Sequence, residues 1–142
     1  MIAIAEDLLD RGGFARIGEA LRNPDVVRGF EQSIEVAMEL YSRERPVGQA
    51  LLSLAAVDRD ASSAAARLNR GRREGMRRLA ERMSAQGVLR DDVTVDQAAD
   101  VLWVVTSFET FAQLYTGRDL PAETVGERLI AMAKRTLCRP DA

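Results

Sequence analysis

Apolar side chains recur with helical spacing along almost the whole of this sequence. Residues 1–9 carry apolar side chains on one side and predict a first helix, which two consecutive glycines end. Phe14, Ile17 and Leu21 then follow at helical spacing, so a short amphipathic helix is expected there. Because the same period continues to the C-terminus, the pattern predicts an all-α fold.

Prolines mark where the next helices begin. Asn23 and Pro24 predict the start of a helix that runs to about residue 42, with Asn23 as its cap. Pro46 stops that helix and begins a short, mostly apolar one over 46–57, which is expected to be buried on most of its circumference. Longer helices are then expected over 61–86, 94–116 and 121–137.

Glycine and capping residues delimit these longer helices. Gly87 is typical of a C-terminal cap, and Thr94 with Gln97 three residues later is the pattern of a capping box. The sequence contains no repeat, linker or low-complexity tract. We therefore expect residues 1–142 to form a single helical-bundle domain of about six helices.

The helix over 94–116 is apolar almost all round, so it must be covered on opposite sides. Together with the apolar stripe of the last helix, this predicts a homodimer in which two helices of each chain form a four-helix bundle. The alternative, a central helix of a monomeric bundle, stays open. The side chains expected at the dimer interface are Val105, Phe108, Ala112, Tyr115, Val125, Leu129, Met132 and Ala133.

Composition narrows the range of functions. The 142 residues are 46% hydrophobic and 30% charged, and the net charge of −2 gives no general attraction to phosphate, so the chain alone is a poor nucleic-acid binder. Histidine is absent and Cys138 is the single cysteine, which argues against an enzyme, a metal site, a cofactor or a disulfide. We expect a protein of the reducing cytoplasm, without a membrane span.

Seven arginines lie along the helix over 61–86, and most of them are expected on a solvated face. Arg72 is different because it falls on the inward line between Leu68 and Met76, where a charge needs a partner. One interpretation is an ion pair with an acid, and the other is an anchor for a ligand carboxylate or another polar group. The candidate acids are Glu35, Glu39 and Glu109.

Four stretches of the sequence resemble the C-terminal regulatory domain of TetR-family bacterial transcription regulators. They are RREGM at 72–76, GVLR at 87–90, VTVDQAADVLW at 93–103 and LPAE at 120–123, and the resemblance is strongest from Asp58 onward. It implies a homodimer whose last two long helices form the interface. It also implies an apolar pocket for a small effector, and operator DNA bound only through a helix-turn-helix domain that this chain does not contain.

The resemblance places the effector pocket among the inward stripes of methionine and aromatic side chains. Its expected lining is Phe30, Ile34, Met38, Tyr41, Leu68, Arg72, Met76, Trp103, Ser107 and Phe111. The function implied is the effector-binding and dimerisation part of a regulator, expected to be a repressor, that senses an apolar or amphipathic molecule. The alternative is a stand-alone helical dimerisation or protein-interaction protein with a filled core and no ligand.

Overall fold

Seven α-helices form one bundle in the computed structural model, which describes residues 13–142. They are α1 Gly13–Leu21, α2 Val26–Arg43, α3 Arg45–Ala55, α4 Arg59–Ala85, α5 Val95–Val105, α6 Phe108–Tyr115 and α7 Ala122–Leu137. Over these residues no strand is present, and the all-α prediction is confirmed. The helix expected over 1–9 lies outside the described residues.

Helix α2 runs through the centre of the bundle and packs mainly on α1 and α7. Its stripe of Phe30, Ile34 and Met38 is fully buried, as the periodicity predicted. Gly126 of α7 faces Met38 so closely that an added Cβ would lie 3.3 Å from the Cγ of Met38. The core therefore includes the contact of α2 with α7, and buried residues of α4, α5 and α6 complete it.

The start of α2 differs from the expectation. Asp25 caps the helix, since its side chain accepts a hydrogen bond from the Arg28 amide at 3.1 Å. The side chain of Asn23 instead accepts from the Asp25 amide at 3.0 Å, which is the turn that asparagine forms with its own backbone two residues on. The prediction of Asn23 as the cap was wrong because this local turn delays the helix by two residues.

The long helix expected over 94–116 is two helices. Its start is confirmed, because Thr94 and Gln97 form both hydrogen bonds of a capping box. However, α5 ends at Val105, and the Ser107 hydroxyl begins α6 by accepting from the Thr110 amide at 3.1 Å. Serine competes with helical hydrogen bonding in this way, so a break arises inside an unbroken apolar pattern.

Helix α3 is less buried than its composition predicts. It packs mainly on α4, none of its described side chains is fully buried, and Leu52 keeps 39% of its surface exposed. The expectation of burial on most of the circumference was therefore wrong: the partner helix covers one face only. Two later boundaries agree with the sequence, since Gly87 takes a left-handed φ of 70° after α4 and Pro121 directly precedes α7.

Candidate functional site

A cleft of about 340 Å³ opens between α1, α2 and α4. This volume lies at the lower end of ligand pockets, which span about 300–1,000 Å³. Among residues 13–142, the charged residues of its lining are Arg67 and Arg72, and the rest of the described lining is mostly apolar. The lining residues are Ile17, Gly18, Leu21, Ser33, Ile34, Ala37, Tyr41, Arg67, Leu68, Gly71, Arg72, Gly75, Met76 and Thr106.

Helical spacing brings these side chains to one place. Each wall is formed by residues three or four positions apart, which lie above one another on a helix face. In α4 the series is Leu68, Arg72 and Met76, and in α1 it is Ile17 and Leu21. The cleft is therefore an apolar space with one arginine in the middle of its α4 wall.

Two glycines of α4 keep this space open. Gly71 and Gly75 lie one helical turn apart, and a Cβ added to either would meet no other atom within 4 Å. Glycine inside a helix is less stable than alanine by about 0.5–1 kcal/mol, so these positions reduce the stability of α4. Because glycine has no side chain, the α4 wall extends less far into the cleft at these two positions than it would with any other residue.

Replacing Gly71 or Gly75 with alanine should stabilise the protein. The added methyl groups meet no neighbour, and each change removes the conformational freedom of glycine from the unfolded chain. We expect each variant to gain about 0.5–1 kcal/mol in the free energy of unfolding. Urea denaturation followed by circular dichroism measures this, and a loss of stability in both variants would show that the space is not open.

Arg72 is held by the end of α5. Its Nη1 donates to the backbone oxygen of Trp103 at 2.5 Å and to the hydroxyl of Thr106 at 2.7 Å. The guanidinium lies over the Trp103 indole, 3.6 Å from the ring centroid. Burial lowers the pKa of Arg72, but an arginine side chain stays protonated at neutral pH.

The ion pair that was one of the two interpretations of Arg72 is not formed among residues 13–142. In the described part of the chain, Glu39 pairs with Arg16 and Glu35 with Arg28, while Glu109 lies near enough only to raise the pKa of Arg72. The partners of Arg72 are backbone and hydroxyl oxygens instead. Because the negative end of a helix dipole lies at its C-terminus, the end of α5 is a favourable place for this cation.

The break between α5 and α6 supplies these acceptors. In a continuous helix the Trp103 backbone oxygen would accept a hydrogen bond from the Ser107 amide. Here that amide donates instead to the Val104 backbone oxygen at 3.2 Å, which leaves the Trp103 oxygen for Arg72. Tyr41 binds the same end of α5, since its hydroxyl donates to the Thr106 backbone oxygen at 3.0 Å. Burial raises the pKa of Tyr41, which keeps that hydroxyl protonated as a donor.

Half of the residues expected in the pocket line the cleft. These are Ile34, Tyr41, Leu68, Arg72 and Met76.

The other five lie elsewhere. The side chains of Phe30, Met38 and Phe111 are almost completely buried and belong to the hydrophobic core. Ser107 caps α6, and Trp103 lies beneath Arg72 beside a separate surface groove. The central pocket that the inward stripes predicted is therefore packed, and the space lies to one side of it, towards α1.

The sequence analysis missed the α1 side of the cleft and the two glycines. The periodicity predicts Ile17 and Leu21 on the apolar side of α1, but it does not connect them with the effector pocket. A pair of glycines four residues apart within a long helix was the signal that could have located the opening.

The structure buries some of the side chains that were expected at a dimer interface. Val105, Val125, Leu129 and Ala133 are buried inside the chain's own core, so they present no surface to a partner. Phe108, Ala112 and Tyr115 are half-buried, and Met132 remains 46% exposed. Val104, which was not expected at the interface, is 55% exposed. The packing of α7 on α2 accounts for the burial of the inward stripe of α7, and self-association of the chain stays a prediction.

Neither a metal site nor a membrane span is found in residues 13–142. Over this range no group of three or more acidic or cysteine side chains could hold a metal ion. Among the same residues, no helix combines the length and the apolar character needed to cross a bilayer.

Comparison with family models, with curated proteins and with solved structures finds no match for this chain. The resemblance to TetR-family regulatory domains therefore stays a prediction from the residues quoted above.

Proposed function

We propose that this chain is the effector-binding and dimerisation part of a transcription regulator of the TetR type. The observation that carries the proposal is the apolar cleft between α1, α2 and α4, with Arg72 as a polar group within it. Ligand sites are typically concave and apolar with a few placed polar groups, and this cleft has that character. The sequence resemblance supports the regulatory role.

A ligand in the cleft would act on the position of α1. This helix packs on α2, whereas the cleft lies between it and the middle of α4. At its C-terminal end α1 is tied to α4, because the Arg82 guanidinium donates to the backbone oxygens of Leu21 and Asn23. A ligand that fits one separation of α1 and α4 better than another shifts the population towards it. In a complete regulator that shift would reach the DNA-binding domain.

The proposal includes self-association through α5 and α7. These helices pack on each other, and each leaves one large apolar side chain exposed, Val104 and Met132. Those two residues equally favour the alternative function, a dimerisation protein without a ligand. Ligand binding separates the two functions, because only the regulator requires an occupied cleft.

The test is a titration of the cleft with two probes, 1-octanol and octanoate. Trp103 is the single tryptophan and lies against Arg72, so its fluorescence should change when a probe enters. In Gly75→Leu the leucine side chain should fill the cleft and so take the place of the probe. The affinity for both probes should then fall at least about ten-fold.

Glu74→Leu is the matched control, because it adds the same side chain at the neighbouring, exposed position outside the cleft. It should bind both probes like the unaltered protein. The proposal is overturned if neither probe binds saturably, or if Gly75→Leu binds them as well as the control does.

A further inference from the structure

Arg72 uses only part of its hydrogen-bonding capacity. A guanidinium carries five N–H donors, and both bonds that Arg72 makes come from Nη1. Within residues 13–142, Nε and Nη2 have no acceptor, and the side chain forms no ion pair. Nε and Nη2 together form one edge of the guanidinium, and no residue in the range 13–142 accepts a hydrogen bond from that edge.

This free edge is also held in a fixed orientation. The Trp103 indole lies against the flat face of the guanidinium, and the Trp103 and Thr106 oxygens hold Nη1. The side chain therefore does not have to be ordered when a ligand binds. An arginine edge of this kind matches the two oxygens of a carboxylate through parallel hydrogen bonds.

The charges around Arg72 indicate on which of its two sides an anion would bind. Arg72 lies between the cleft and a smaller space of about 120 Å³, which is lined by two acids, Glu44 and Glu109. Among residues 13–142, no carboxylate lines the cleft, and Arg72 lies in the middle of its α4 wall. An anion is thus repelled from the smaller space and attracted to the cleft. The half-buried position of Arg72 strengthens this attraction, since screening by water is weaker there.

From these observations we infer that the ligand of the cleft is an amphipathic acid. Its carboxylate accepts hydrogen bonds from Nε and Nη2 of Arg72, and its apolar body lies against Ile17, Ile34 and Met76. This inference rests on the proposed ligand-binding function and adds the chemical class of the ligand. A neutral molecule of the same shape gains only the apolar contacts, and an amine is disfavoured by the positive charge of Arg72.

The experiment compares three probes of equal chain length at neutral pH: octanoate, 1-octanol and octylamine. Isothermal titration calorimetry of the unaltered protein should give an affinity for octanoate at least about ten-fold above that for 1-octanol, as charged hydrogen bonds provide. Octylamine should bind more weakly than 1-octanol. In Arg72→Met, octanoate should fall to the affinity of 1-octanol, while 1-octanol changes less than about two-fold.

Arg70→Met is the matched control, because Arg70 is an exposed arginine of the same helix that does not line the cleft. It should keep the preference for octanoate. The unaltered protein could bind octanoate and 1-octanol equally well, with both blocked by Gly75→Leu. That result would overturn the inference that the ligand is an acid but leave the cleft as a binding site.

Failure of all three probes would overturn the proposed function as well. Equal weakening of octanoate and 1-octanol in Arg72→Met would assign Arg72 a purely structural role and overturn the inference. If Arg72→Met does not fold, as judged by circular dichroism, the comparison of probes on the unaltered protein still decides.

Discussion

Gly29→Ala should destabilise the protein by about 1–3 kcal/mol, the range for overpacking a tight contact. An added Cβ at this position would lie 2.7 Å from the backbone oxygen of Ala20, where α1 crosses α2. The obstacle is backbone, so no side-chain rotation can relieve it, and α1 must move away from α2. Because α1 forms one wall of the cleft, the same change should also weaken binding of 1-octanol.

Gly75→Ala is the control for Gly29→Ala, since it makes the same chemical change in a helix with open space around it. Thermal unfolding followed by circular dichroism should show the two midpoints moving in opposite directions. A midpoint for Gly29→Ala equal to that of the unaltered protein would contradict the close packing of α1 on α2 at Gly29.

The unaltered protein should have a mass of about twice 15.6 kDa in solution at low micromolar concentration. The proposed interface contains Val104 of α5 and Met132 of α7, both exposed in the single chain. Replacing both with glutamate would place unpaired charges in an apolar contact, which is strongly unfavourable. We expect the double variant to sediment and scatter light as a species of 15.6 kDa.

Val57→Glu provides the matched control for self-association. Val57 is 83% exposed and lies between α3 and α4, away from the proposed interface. This variant should keep the mass of the unaltered protein. A single-chain mass for the unaltered protein, or a double variant that stays dimeric, would exclude α5 and α7 as the interface.

The sequence predicted helix positions well where short-range chemistry decides them. The capping box of Thr94 and Gln97 and the left-handed Gly87 depend on neighbours a few residues away, and both are confirmed. The break at Ser107 escaped prediction because the apolar period continues across it. Whether a serine ends a helix depends on which oxygens its hydroxyl can reach, and Tyr41 and Arg72 of other helices bind the acceptors that this break releases.

The site was predicted less completely than the fold. Periodicity shows which side of a helix points inward, but not whether an inward side chain meets another side chain or a space. Phe30 and Ile34 lie on the same stripe of α2, yet one fills the core and the other lines the cleft. The difference depends on the space between the helices, which Gly71 and Gly75 leave open on the α4 side because they carry no side chain.

The inward position of Arg72 was predicted correctly, but its partners were not. An ion pair with an acid was one of the two interpretations, because an inward charge needs compensation. The oxygens that compensate it exist only because α5 ends at Val105, and no pattern in the sequence indicated that end. The residue that the inference depends on was therefore identifiable from sequence, whereas its free edge required the structure.

Methyl-resolved nuclear magnetic resonance with octanoate tests the ligand-binding cleft most directly. Saturating octanoate should shift the methyl signals of Ile17, Ile34 and Met76, which line the cleft. The methyl signals of Leu129, a core residue of α7, and of Met132, an exposed residue of the same helix, should stay in place. Shifts confined to Met132 and Val104, or no saturable shift at all, would contradict the cleft as a ligand site.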